Sequence, residues 1–218
     1  MAKGLFITFE GTEGCGKTTQ ISLLAGELQL MGYHVRMFRE PGGTPIGEEI
    51  RHTLKHSDVN AAMTAEAELL LMNASRSQLV REVIRPALDA GDIVLCDRFY
   101  DSTTAYQGYG RGLDLNVVKT VIDFAVGKIR PDLTLLLNVP YAVSQDRVFA
   151  RQATMPFLRD RMEEADRPFF ERVAKGYQAI AAAEPERVRE IDATGTPQQI
   201  EAAIWREVST LLPRAPRI

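Results

Sequence analysis

The sequence predicts an α/β protein built on a parallel β-sheet with helices on both faces. Three observations lead there. Short apolar runs rich in β-branched and aromatic residues read as buried strands. Between them lie longer stretches in which apolar residues recur every three or four positions, the spacing of a helix face. The order strand, helix, strand, helix requires crossover connections and hence a parallel sheet covered on both sides.

Residues 5–9 form the first strand expected, followed by a helix over 18–31 and a second strand over 35–38. A long helix over 65–90 precedes the strand 93–96, and a fourth strand covers 133–139. A polar, arginine-rich segment over about 147–167 breaks the apolar rhythm and reads as a lid. A fifth strand over 188–191 and an amphipathic helix over 197–212 complete a five-stranded sheet. At 218 residues the chain buries one sizeable core without requiring a second, so residues 1–218 read as a single domain.

Composition narrows the function classes. The chain is 45% hydrophobic and 25% charged, which excludes wholesale disorder. A net charge of -3 argues against nucleic acid as a partner, since that binding draws on many phosphate-neutralising cations. Arginine outnumbers lysine 20 to 6, which suits bidentate phosphate contacts and equally a GC-rich genome. No run of eighteen apolar residues offers a membrane span, no signal peptide is visible, and Cys15 and Cys96 have no metal-ligand spacing. Reduced cysteines in the cytoplasm are the simplest expectation.

Ligands of open α/β sheets sit outside the carboxyl ends of the strands. Directly after the first strand comes Gly11-Thr12-Glu13-Gly14-Cys15-Gly16-Lys17-Thr18, which fits G-x-x-x-x-G-K-[ST] and opens a helix. The glycines let successive backbone N–H groups turn inward onto phosphate oxygens, assisted by the helix N-terminus. Lys17 bridges the β- and γ-phosphates of ATP in this reading, and the Thr18 hydroxyl ligates Mg²⁺. The fold is then of the P-loop NTPase type. GTPases, motor ATPases and small-molecule kinases all share the loop, but the chain has Asn138-Val139-Pro140-Tyr141 where a GTPase carries its guanine reader.

A second cluster follows the third strand: Asp97-Arg98-Phe99-Tyr100-Asp101-Ser102-Thr103-Thr104-Ala105-Tyr106-Gln107. Asp97, beside the P-loop, can hold the hydration shell of Mg²⁺, and Arg98 can clamp a phosphate with its planar fork. Together with Arg39-Glu40-Pro41-Gly42-Gly43-Thr44 and Gly108-Tyr109-Gly110-Arg111-Gly112, these motifs make the chain resemble bacterial thymidylate kinases over essentially its whole length.

The resemblance implies transfer of the γ-phosphoryl group of ATP to dTMP with Mg²⁺, and a homodimer packed through helices. It implies that Glu13 meets the acceptor sugar, Arg98 the acceptor phosphate and Arg76 a thymine carbonyl, with Ser102 and Thr103 near the base. Tyr106 crowds the 2′ position, and Arg39 and Gln107 complete the acceptor set. Met72 stands where family members often place an aromatic ring, so a thioether lies against the base or simply fills core.

A phosphate acceptor is already largely dianionic at neutral pH, so no general base is needed, and His34, His52 and His56 read as incidental. Positive charge is needed instead. The P-loop itself holds no arginine, so that charge must come from elsewhere; Arg147 and Arg151 share a helix face, and Arg159 and Arg161 follow in the polar segment. The resemblance implies that lid arginines close over ATP in such members of the family, with Arg151 and Arg161 as the expected catalytic pair. Two other readings stay open. One is a P-loop kinase for another monophosphate or for a nucleoside, with Glu10, Glu40 or Asp97 as base. The other is a non-catalytic nucleotide switch.

Overall fold

The computed structural model describes residues 4–154, 161–162 and 165–212. In chain order its elements are β1 (Leu5–Glu10), α1 (Lys17–Leu30), β2 (Val35–Arg39), α2 (Pro45–Lys55), α3 (Ala65–Leu79), α4 (Arg85–Ala90), β3 (Ile93–Asp97), α5 (Tyr100–Thr103), α6 (Leu115–Val126), β4 (Leu133–Asn138), α7 (Tyr141–Thr154), α8 (Arg167–Ala183), β5 (Val188–Asp192) and α9 (Pro197–Val208). The five strands form one sheet in the order β2-β3-β1-β4-β5. All pairs are parallel, as the alternating elements predict.

Side-chain alternation along β1 divides the core. Leu5, Ile7 and Phe9 face α1 and α9, where Ile21, Leu24, Leu28, Ile200 and Ile204 meet them. Phe6 points the other way, with Val94 and Cys96 of β3, into Leu69, Leu79, Val118 and Ile122 of α3 and α6. Each of these side chains is buried, and burying one of this size stabilises the fold by about 1.5–3 kcal/mol. A third apolar cluster, with Tyr106, Phe169, Phe170, Val173 and Tyr177, lies under the region following β3.

The helix expected over 65–90 is interrupted. Residues Val80–Ile84 form a π-helical turn between α3 and α4, and the N–H of Arg85 reaches back to the carbonyl of Val80. Pro86 supplies the cause: it has no N–H, and its ring clashes with the carbonyl four residues back, so the ladder slips by one residue instead of continuing.

The order of strands fixes where ligands go. β1 lies between β3 and β4, so the P-loop leaves the middle of the sheet, with the end of β3 alongside. The register sets Phe9 against Asp97, which brings the cluster after β3 level with the P-loop. This is the crevice in which open α/β sheets bind ligands.

Candidate active site

Gly11 takes φ 130°, and a Cβ there would lie 2.5 Å from the Leu137 carbonyl oxygen, so only glycine lets the loop leave β1 past β4. Gly14 takes φ 71°, and a Cβ would meet the Ser144 carbonyl of α7 at 2.6 Å. Ser144 in turn donates its hydroxyl to the Glu13 carbonyl at 2.7 Å, so α7 braces the loop from outside. No acidic residue occupies the first turn of α1, which leaves the positive end of the helix dipole open to an anion. Lys17 donates Nζ to the carbonyls of Gly11 at 3.1 Å and Thr12 at 3.0 Å, so its ammonium lies over the cradle it closes.

Beside the cradle, the Thr18 hydroxyl donates to Asp97 Oδ2 at 3.1 Å. Two oxygen ligands at a phosphate-binding loop suit a hard cation that completes its shell with phosphate and water. The next residue, Arg98, has φ 70°, in the left-handed region that residues with a Cβ rarely adopt. Its amide bonds to the Phe9 carbonyl at 2.9 Å, and the strained backbone turns the side chain back across the P-loop.

Arg98 is held by four polar groups. Nη2 donates to Glu13 Oε1 at 2.8 Å and to the Tyr106 hydroxyl at 3.2 Å, while Nη1 donates to Ser102 Oγ at 3.0 Å and the Tyr177 hydroxyl at 3.1 Å. Tyr106 donates its own proton to Glu13 Oε2 at 2.8 Å. Burial opposes the charge on Glu13, but the Arg98 guanidinium, the Lys17 ammonium and the Tyr106 hydroxyl outweigh it and hold the carboxyl below its usual range. Glu10 behaves oppositely. Burial and the neighbouring Asp101 raise its pKa although it accepts from Phe99 N, Ser102 and Tyr177.

These groups wall a cleft that opens to solvent. Glu13, Glu40, Pro41, Lys55, Met72 and Arg76 contribute, as do Arg98, Ser102, Thr103, Tyr106, Gln107 and Met162. Arg76 forms its floor. Nε donates to Glu40 Oε2 at 2.7 Å, Nη1 to Asn73 Oδ1 at 3.0 Å and Thr103 Oγ1 at 2.8 Å, and Nη2 to the Phe99 carbonyl at 3.1 Å. Nη2 also lies 2.6 Å from Glu40 Oε2. Four of the five N–H groups of the guanidinium are thereby hydrogen-bonded within the protein. Glu40 Oε1 is buried without a hydrogen-bond partner, and burial pushes the Glu40 carboxyl up to about 7 despite Arg76.

A family model described as thymidylate kinase matches residues 9–204. The chain belongs to the thymidylate kinase family. It is 47% identical over 213 residues to a thymidylate kinase of Geobacter sp. (strain M21), covering 95% of this chain and 94% of that one. To a thymidylate kinase of Synechococcus sp. (strain JA-3-3Ab) it is 48% identical over 214 residues, with 98% and 100% covered. Among solved structures, the thymidylate kinase of Ehrlichia chaffeensis superposes with a TM-score of 0.76 at 32% identity, covering 95% of this chain and 100% of that one.

Of the acceptor residues that the family resemblance implies, Glu13, Met72, Arg76, Arg98, Ser102, Thr103, Tyr106 and Gln107 all line the one cleft. Arg39 does not: it donates to Glu48 Oε2 at 2.9 Å and to the Pro41 carbonyl at 3.2 Å, and its side chain is 47% exposed. Arg76 reaches the cleft with four of its donors already engaged, one of them on the Thr103 hydroxyl.

Among the lid residues, Arg161 pairs with Glu68 and donates to the Met63 carbonyl at 3.2 Å, on the acceptor side of the cleft. Arg159 and the side chain of Arg151 lie outside the described residues. Arg147 instead touches the P-loop, through Nη1 and the Gly14 carbonyl at 3.4 Å, and is anchored on the Ala193 carbonyl at 3.1 Å.

Sequence reasoning did not assign Tyr177, Lys55, Met162 or Glu68 to the site. Tyr177 lies 79 positions from Arg98 on α8, with no motif to mark it. A buried carboxylate such as Glu68 is detectable in principle, because a helix position facing the core and occupied by an acid demands basic partners.

Proposed function

We propose that the chain transfers the γ-phosphoryl group of ATP to dTMP, giving ADP and dTDP and so supplying dTTP synthesis. The observation that carries this reading is the contact between Glu13, inside the P-loop, and Arg98, at the mouth of the cleft. It joins a nucleotide-triphosphate cradle to a separate anion site within reach of in-line transfer.

The roles follow from charge. The P-loop amides, the start of α1 and Lys17 receive the phosphates of ATP, and Arg98 receives the acceptor phosphate. Thr18 and Asp97 are the oxygen donors that would hold Mg²⁺, which when bound neutralises charge developing on the phosphoryl oxygens. The acceptor phosphate attacks as a dianion, so no residue removes a proton. This suits the environment of Glu10, which is buried beneath four hydrogen bonds and unavailable as the base a nucleoside kinase requires. Tyr106 and Glu13 bear on the sugar, and Met72 and Met162 supply soft apolar walls for the base.

Charge on the transition state would be met by Lys17 with Arg147, Arg151 or Arg161. Arg147 has the better support, since its guanidinium is already at the Gly14 carbonyl.

The chain is further proposed to act as a homodimer in the cytoplasm. α3 and α6 pack together, and they leave Leu70, Val117 and Phe124 exposed. Both cysteines are free, and no helix among the described residues is long and apolar enough to cross a membrane.

The deciding experiment measures ADP release from ATP and Mg²⁺ with dTMP, dUMP, dCMP, dGMP, AMP or thymidine in turn. Release with dTMP well above the others is expected. Nucleotide binding with silence toward every acceptor would refute the reading in favour of a regulatory module.

A further inference from the structure

Glu68 lies on α3 with no solvent-exposed side-chain surface, an expensive position for a carboxylate unless it is fully paired. Its partners are unusual in number. Oε1 accepts from Gln107 Nε2 at 2.7 Å and from Arg111 Nε at 3.2 Å. Oε2 accepts from Arg111 Nη2 at 3.0 Å and from Arg161 Nη1. Burial opposes the charge, but hydrogen bonds from Arg111, Gln107 and Arg161 outweigh it and hold the carboxyl below its ordinary range. The group is therefore an ion, and an ionised carboxylate only accepts hydrogen bonds.

That fixes the polarity of Gln107. A glutamine amide can present either its NH₂ or its carbonyl to a ligand, and here the carboxylate takes the NH₂. The carbonyl Oε1 takes no bond from any described residue and belongs to a side chain that lines the cleft. Arg111 and Arg161 grip Glu68 from the other side, and Met162, next to Arg161, packs into the same wall. The amide is thus locked from behind by charge.

We infer that Glu68 is a positioning residue for base selection: it holds the Gln107 carbonyl toward the cleft, so that the site demands an N–H on the acceptor's base. This rests on the reading of the cleft as a dTMP site. In thymine joined to its sugar through N1, the only ring N–H is at N3. Cytosine, anchored through the same phosphate on Arg98 and hence in the same place, presents the N3 lone pair instead. Two acceptors then face each other and a hydrogen bond is lost.

The test is the ratio of kcat/KM for dTMP to that for dCMP in Glu68→Gln, Gln107→Leu and the double variant, with folding verified by thermal denaturation. Glu68→Gln keeps a neutral acceptor for both arginines but lets either end of the Gln107 amide face the cleft. The ratio should fall about tenfold or more, as expected for exchanging a made hydrogen bond for an unmade one.

Gln107→Leu leaves the arginine pairs intact and should lower the ratio similarly. Glu68→Gln should then add no further loss in the Gln107→Leu background. A purely structural role would lower both substrates by one factor and leave the ratio unchanged, and that result in either single variant overturns the inference while the functional reading stands. An equal further drop in the double variant overturns it too. Wild-type protein that ignores dTMP overturns the reading itself and this inference with it.

Discussion

Replacing Glu40 with glutamine should change the pH dependence of stability in a calculable way. Glu40 is buried, with Oε2 on Arg76 and Oε1 without a partner, and burial raises its pKa from 4.5 to about 7. The charged and titratable groups around it are Arg76, which favours its ionised form, and Glu10, which opposes it. Cys96 lies close enough that the Glu40 charge raises its thiol pKa.

The folded pKa lies above the unfolded one, so the stability Glu40 contributes is fully present below pH 4.5. It is lost as pH rises toward 7. In that window the native state keeps a proton that the unfolded chain has released. Each pH unit costs about 1.4 kcal/mol, giving about 3 kcal/mol in all and about 2 kcal/mol between pH 5 and pH 7.

Glutamine cannot titrate, and its amide oxygen can still accept from Arg76. Urea unfolding of wild type and Glu40→Gln at pH 5, 6, 7 and 8 should therefore give curves that diverge, the wild type losing about 2 kcal/mol more than the variant from pH 5 to pH 7 and little further above. Carboxylates that do not interact with Glu40 are common to both proteins and cancel, and losing the Glu40 charge eases ionisation of the neighbouring Glu10, which widens the divergence in the same direction. Parallel curves, or a wild type that gains on the variant with rising pH, would refute the argument that desolvation outweighs Arg76 at this site.

Lys17→Ala removes the ammonium over the cradle and should reduce kcat by about a thousandfold or more, read by ADP release at saturating substrates; comparable turnover would remove Lys17 from the chemistry. Arg98→Ala should lower kcat/KM for the acceptor by about 10- to 100-fold, mainly through KM, while KM for ATP changes little. Asp101→Ala removes the acceptor of two Arg187 bonds, at 2.7 and 2.9 Å, and leaves that largely buried cation with Glu184 and Thr134 alone, so it should cost about 1–3 kcal/mol in urea unfolding.

The strands and the P-loop were legible because their signals are local. A continuous apolar run followed by G-x-x-x-x-G-K-T specifies strand, turn and helix within fourteen residues, and nothing distant has to agree. The π-helical turn at Val80–Ile84 was missed although Pro86 was visible, because the pattern of apolar residues continues through a one-residue slip that only the backbone ladder records. The acceptor cleft was legible only through its motifs. The family resemblance alone implies that Arg76 donates to the ligand, and residue type could not show that four of its N–H groups are engaged from within. Tyr177 and Glu68 were hidden for a related reason, since their partners lie dozens of positions away and only the fold brings them together.

The two halves of the site are not independent constructions. Glu13 belongs to the P-loop, yet its carboxylate fixes Arg98 and accepts from Tyr106, while its carbonyl is held by Ser144 of α7. Arg98 in turn reaches the P-loop only because its backbone accepts a left-handed conformation costing of order 1 kcal/mol, and that cost is offset by four side-chain hydrogen bonds. In the proposed reading, a phosphate acceptor placed on Arg98 is therefore positioned relative to the same loop that would hold the donor phosphates. Since phosphoryl transfer offers a protein little covalent chemistry to perform, relative placement of two anions is the main thing it can supply. The shared residue Glu13, rather than either motif alone, is what makes that placement a property of the fold.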